Sequence, residues 1–189
     1  MKRYRCARYG PFRQRPTAAE MNERPVDMQL LRWCEASQDA PIDIDADRPL
    51  RFVQLRAYSS GELDAFEAQH ALHLSPGYRH FMTTVGACKL FINRYGLGTQ
   101  FHPLEGLDRF SSEVFDNAGT DPFPRLLLVA SVTFRGDFAG FDLTSGVERF
   151  AVFSHEDDPD SWLTDTSHWH SFEEWILLLV STKGNEVDL

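Results

Sequence analysis

Five side chains in the C-terminal third have the types that hold metal ions: His155, Asp157, Asp158, His168 and His170. An extended His-x-His segment places both imidazoles on one face, which can chelate zinc. A metal-dependent hydrolase built on His155, His168 and His170 is therefore one reading. Against it, His168-Trp169-His170 stands just before a helix start, and no HExxH spacing accompanies it. The plainer reading is a polar loop with ordinary histidines, and neither a metal nor another cofactor is expected.

Nucleophilic chemistry has less to build on. The chain has no GxSxG elbow, Walker A loop or GxGxxG fingerprint. Gly96-Leu97-Gly98 lacks a third glycine and a following helix, so it reads as a turn. Cys6, Cys34 and Cys88 are an odd number at wide spacing. That excludes a disulfide framework or zinc ribbon as the expectation and favours a reducing cytosol. Cys88 follows Gly86 at the start of an apolar segment and reads as a small core residue. The carboxylates at 156–160 are sequence neighbours in a loop, whereas a catalytic pair needs rigid placement in separate environments. Arg135-Gly136-Asp137 has the residues of a turn. No catalytic residue is assigned.

Recognition is better supported. The net charge is −9, which disfavours nucleic acid as a partner because phosphates must be neutralised by cations. Residues 1–19 hold one Lys and five Arg without an acid, a local +6, so the remainder carries −15. Between Phe150 and Thr182 there are seven acids and no Lys or Arg. Glu156, Asp157, Asp158, Asp160 and Asp165 are interleaved there with Trp162 and Trp169. Acid around an aromatic is a common protein-recognition pattern, and these seven are the candidate partner-binding residues. The competing reading is a solvated face that keeps the chain soluble. Phe91, Tyr95 and Phe101 offer aromatic area for a second candidate surface.

These residues must be positioned by a fold, and 189 residues suit one compact domain with an appendage. The longest apolar run, Trp175 to Val180, is too short to span a membrane. Residues 1–25, with Pro11, Pro16 and Pro25 and no apolar periodicity, read as a flexible basic extension. A short helix and an acidic linker follow over 26–49, then the main domain over 50–182 and a tail over 183–189. Leu50 to Tyr58 is strand-like. Ser59 and Glu62 form a capping box before Leu63, Phe66 and His70 at helical spacing. Ser75-Pro76 starts another helix, with Tyr78, Phe81, Met82 and Val85 on one face and Gly86 as a left-handed stop. Lys89 to Tyr95 reads as a strand, and Leu104 to Asn117 as a helix.

Leu126 to Phe134, Phe138 to Leu143 and Val147 to Phe153 are strands joined by short turns, hence antiparallel. Ser171 and Glu174 cap a last helix whose stripe is Phe172, Trp175, Ile176, Leu179 and Val180. The expected class is α+β, an antiparallel sheet of about four to six strands flanked by helices. Tyr78, Phe81 and Met82 should pack under strands 126–153 together with Trp175 and Leu179.

Several of these segments resemble one family. Leu63-Asp64-Ala65-Phe66-Glu67, Leu74-Ser75-Pro76-Gly77-Tyr78-Arg79-His80-Phe81-Met82 and Val85-Gly86 are similar to the helix–helix–strand signature of the SUKH superfamily, the Smi/Knr type. Gly136-Asp137-Phe138, Phe141-Asp142-Leu143 and Val147 resemble its hairpin, and Phe172-Glu173-Glu174-Trp175 its closing helix. The resemblance runs from about Leu50 to Val180. It implies a binding protein rather than an enzyme. Bacterial members include immunity proteins that block toxins in the cytosol, and fungal members are regulators of cell-wall synthesis that act through protein contacts. The implied partner is a cognate toxin domain of a basic, nuclease-like kind. A regulatory scaffold without a toxin partner is the alternative.

Overall fold

Two Ser-x-x-Glu capping boxes and one run of alternating core residues explain most of the architecture. The computed structural model describes residues 25–44, 48–116, 121–144, 148–162 and 169–185. The basic extension expected over 1–25 lies, but for Pro25, outside the described residues. The strands are β1 (Arg51–Arg56), β2 (Ala87–Ile92), β3 (Thr99–Phe101), β4 (Leu126–Val132), β5 (Asp137–Asp142) and β6 (Phe150–Phe153). They lie side by side in sequence order, each antiparallel to the next. The helices are α1 (Pro25–Ser37), α2 (Ser60–His70), α3 (Pro76–Thr84), α4 (Leu107–Val114) and α5 (Phe172–Ser181). This is the expected α+β class. Among the described residues no helix is long and apolar enough to cross a membrane.

Each capping box closes in both directions. The Ser59 hydroxyl accepts the Glu62 N–H, and the Glu62 carboxylate accepts the Ser59 N–H at 2.8 Å. Ser171 and Glu174 repeat this at α5. Both serines thus satisfy a backbone donor that the first helical turn leaves without an intrahelical partner.

The sheet has two covered faces, which is why β4 is apolar almost throughout. Leu127 and Val129 face the main core, while Leu126 and Leu128 face a smaller second cluster. The main core takes Leu30 of α1, Leu63 of α2, Tyr78, Phe81 and Met82 of α3, and Trp175 and Leu179 of α5. Its centre is a set of interlocked rings. Phe81 lies 4.5 Å from Phe101, and Phe172 sits among Tyr78, Phe81, Phe141 and Phe150 at 5.4–5.8 Å. The second cluster joins Phe115, Ala151, Phe153 and Trp162, with Phe110 and Val114 of α4 against it. Cys34 and Cys88 are buried. Burial pushes the Cys34 thiol up to about 11, with Glu35 adding to the rise, and holds Cys88 well above its ordinary value. Neither is an activated nucleophile.

β3 was not expected as a strand, and Phe91 and Phe101 are not a surface. Phe101 is fully enclosed, and Phe91 is buried against Trp33 and Phe52. β2 stops at Ile92 because the chain turns at Asn93 to Gly96.

Gly86 ends α3 at φ +79° and runs hard against the end of β1. A Cβ there would collide with the Arg56 carbonyl oxygen. Gly86→Ala should therefore cost about 3 kcal/mol in a urea titration, from left-handed strain and a clash with backbone that cannot rotate away. A loss within ~0.5 kcal/mol would show that β1 yields at this contact.

Candidate functional site

The strand registers bring three connections to one end of the sheet. Leu90 pairs with Thr99, Thr99 with Val132, Val132 with Asp137, and Phe138 with Phe153. The 93–98 turn, the 133–136 turn and the loop after β6 therefore sit side by side. Gly98 and Thr133 bind each other directly, Gly98 N–H to Thr133 Oγ1 at 2.8 Å and Thr133 N–H to the Gly98 carbonyl at 2.9 Å. His155 crosses from the third segment to the second. Its backbone N–H donates to Asp137 Oδ1 at 3.2 Å, and its Nδ1 lies 3.1 Å from the same oxygen.

The acidic loop is a built structure. The Ser154 hydroxyl accepts the Glu156 N–H at 3.1 Å, and the Asp158 carbonyl accepts the Ser161 N–H at 2.8 Å. Glu156, Asp157 and Asp158 are exposed at this end. Asp165 and the Asp160 side chain lie outside what the structure describes. Trp162 stands beneath the loop rather than on it. Its side chain is 5% exposed, stacked on Phe153 at 5.0 Å and edge-on to Phe115 at 5.5 Å. It anchors the loop to the sheet by apolar burial. Trp169 is half-buried, edge-on to Phe153 and capped by the Arg149 guanidinium at 4.4 Å. The segment without its own Lys or Arg thus borrows an arginine from just before β6.

The metal-like histidines do not converge. His170 forms a two-way backbone bridge with Phe150, at the start of β6, whereas His155 follows the strand's other end. A strand advances about 3.3 Å per residue, so β6 holds the two apart. His155 turns to Asp137 instead, and His168 lies outside the described residues. Among the described residues no group of three or more His, Cys, Asp and Glu is placed to hold a metal ion.

The opposite end of the sheet carries a cleft of about 590 Å³ between the α2–α3 connection and the ends of β4 and β5. Leu72, Leu74, Phe141 and Leu143 give it apolar walls, and Arg125, Arg149, Asp142 and Glu148 line it with opposite charges. Its charges are partly spent internally. Arg149 Nη1 pairs with buried Asp142 at 3.2 Å, and Glu148 accepts the Phe172 N–H at 3.3 Å.

Comparison with known proteins identifies the fold's lineage. Residues 58–178 match the SMI1 / KNR4 family (SUKH-1). The chain belongs to that family. This SUKH chain is also 31% identical over 168 residues to the immunity protein RhsIB of Dickeya dadantii (strain 3937), covering 88% of this chain and 100% of the relative. No solved structure matches it. The family match begins just after β1 and stops inside α5, so it takes in strands β2 to β6 and both ends of the SUKH sheet they form.

One serine–histidine pair escaped sequence reasoning because it forms across β3 and β4. His102 Nε2 lies 2.7 Å from Ser131 Oγ, and Gln100 Nε2 lies 3.5 Å from His102 Nδ1. The distance resembles a nucleophile and its base, but the electrostatics do not. Burial holds the imidazole down at about 4, with Lys89 adding to the fall. A base that weak has little hold on a hydroxyl proton near neutral pH. The ring stacks on Phe110 of α4 at 3.9 Å, which is a packing role.

The depressed value has a consequence for stability. In the unfolded chain His102 takes up a proton near its ordinary value of 6.5, while the folded site resists to about 4. The unfolded state then binds more protons across that interval, so this contribution is intact above about 6.5 and is lost as pH falls toward 4. His102→Gln should flatten the unfolding free energy between pH 7 and 4 by on the order of 2 kcal/mol. The check is urea titration at several pH values; identical slopes for both proteins would remove the assignment.

Proposed function

We propose that this protein is a cytosolic immunity protein that binds and neutralises a cognate toxin by protein–protein contact, without chemistry of its own. The observation that carries this reading is the 31% identity to the immunity protein RhsIB across the whole of that relative. Membership of the SMI1 / KNR4 family agrees with it. The absence of converging ligands at His155 and His170, and the weak base at His102, leave the hydrolase reading without a supporting geometry among the described residues.

The toxin-facing surface is the end of the sheet that carries Glu156, Asp157 and Asp158, with Trp169 at its margin and Trp162 supporting it from below. A chain of net charge −9 that gathers acids there is suited to a basic, nuclease-like partner. Such attraction speeds capture, which matters when an uncaptured toxin does damage. Replacing Glu156, Asp157 and Asp158 with Lys should slow association at least tenfold at low salt. The deficit should shrink as salt is raised, since the attraction is screened beyond ~10 Å at 0.1 M. The measurement is association kinetics against each candidate toxin domain found in the flanking genes, catalytically inactivated. Unchanged association by the triple variant would move the binding face elsewhere. No complex with any such domain would favour a regulatory scaffold.

A further inference from the structure

We propose that Tyr95, at the tip of the β2–β3 turn, is the anchor residue of the toxin-binding face, which runs from this turn across the 133–136 turn to the acidic loop. This rests on the immunity reading above and adds to it the residue that holds the complex together.

Tyr95 is 70% exposed, and Leu97 two positions on is 37% exposed. Large apolar side chains at a turn do nothing for the turn, which polar residues and glycine would make as well. The fold gives Tyr95 no core contact, yet fixes the backbone that carries it. Asn93 Oδ1 accepts the N–H groups of Tyr95 at 2.9 Å and Leu97 at 3.1 Å. The Asn93 N–H donates to the Leu97 carbonyl at 2.9 Å, and the Gly96 N–H to the Asn93 carbonyl at 3.0 Å. Gly96 takes the positive φ of +81° that closes the turn. The paired bonds between Gly98 and Thr133 then tie the turn to its neighbour.

The ring itself is held. The Arg94 guanidinium lies over it at 4.7 Å and donates to the phenol oxygen at 2.5 Å. A tyrosine presented on a rigid turn loses little freedom on binding, and tyrosine and arginine are both enriched among the few residues that carry most of the binding energy at interfaces. The contrast with Trp162 is direct: that ring is already covered by its own chain and has no face left for a partner. Registry makes the face continuous, because Thr99, Val132, Asp137 and Phe153 end or begin their strands at this same end. The partner that fits is a protein with an apolar pocket for a tyrosine beside a basic area facing Glu156 to Asp158.

The test uses the full chain and the inactivated candidate toxin domains found in the genes flanking its own, with binding kinetics read at 0.15 M salt. Tyr95→Ala should raise the dissociation rate about 30-fold or more while association changes less than about threefold. Leu177→Ala, which removes another exposed apolar side chain, from α5 (56% exposed), should leave both rates unchanged. The melting temperature of each variant should stay at the wild-type value. Tight binding that survives Tyr95→Ala overturns this proposal and leaves the immunity reading standing. No binding by the unaltered chain overturns both. A wild-type dimer that Tyr95→Ala converts to monomer would assign the tip to a second copy of this chain and overturn it too.

Discussion

Replacing Phe81 with alanine is expected to lower the unfolding free energy by about 3–5 kcal/mol. Phe81 is fully buried on α3, with its ring 4.5 Å from Phe101 of β3 and 5.5 Å from Phe172 of α5. It therefore joins two helices to the sheet at one point. Truncation removes the transfer free energy of the ring and leaves a cavity between elements that are each fixed by other contacts. Tyr78 and Met82 pin α3 on either side, and Phe172 is held by Tyr78, Phe141 and Phe150. The cavity cannot collapse cheaply, which places the cost in the upper part of the range for aromatic truncations. Chemical denaturation measures it directly. A loss within ~0.5 kcal/mol would mean that α3 does not pack on β3 as described.

Trp162→Ala should also cost about 3–5 kcal/mol in stability, and this outcome separates two roles for one residue. Its composition and setting, a tryptophan among Asp157, Asp158 and Asp160, suggest an exposed anchor for a partner. An exposed anchor would leave the free protein's stability within about 0.5 kcal/mol. The structure instead stacks it on Phe153 and sets Phe115 and Phe138 around it at 5.5–6.0 Å. Its loss should empty the second cluster and release the acidic loop from the sheet. Urea titration of the free protein decides between these roles without any partner present. A stable variant with weakened binding would return Trp162 to the surface.

The parts of the fold legible in the sequence are those with local causes. Both Ser-x-x-Glu boxes and Ser75-Pro76 marked helix starts that the structure reproduces, because a cap is decided within four residues. The period of α3 and α5 marked their buried faces, and Tyr78, Phe81, Met82, Trp175 and Leu179 do share one core. β3 was missed because three residues, Thr99 to Phe101, are too few to show an alternation. Phe101 then looked available to a partner, although pairing with β2 and β4 turns it into the core. Trp162 misled for a related reason. Its partners Phe115 and Phe138 are far away in sequence, so nothing local announces its burial. The juxtaposition of Tyr95, the 133–136 turn and Glu156 to Asp158 depends on the register of five strands. Once β3 is known, that register follows from short antiparallel connections; without it the three segments have no relation.

Neutralisation by direct contact makes a stoichiometric demand on the toxin. The measurement that bears on it most directly is a titration of the purified active form of whichever candidate toxin domain the chain binds, with increasing amounts of the full chain, reading residual toxin activity. A binding inhibitor should remove activity in proportion to the amount added, reaching completion near molar equivalence, with the toxin intact and recoverable from the complex. Toxin activity that persists at large excess would contradict any neutralising role. Loss at far less than equivalence, with the toxin chemically altered, would contradict the contact mechanism and show that the chain acts as a catalyst.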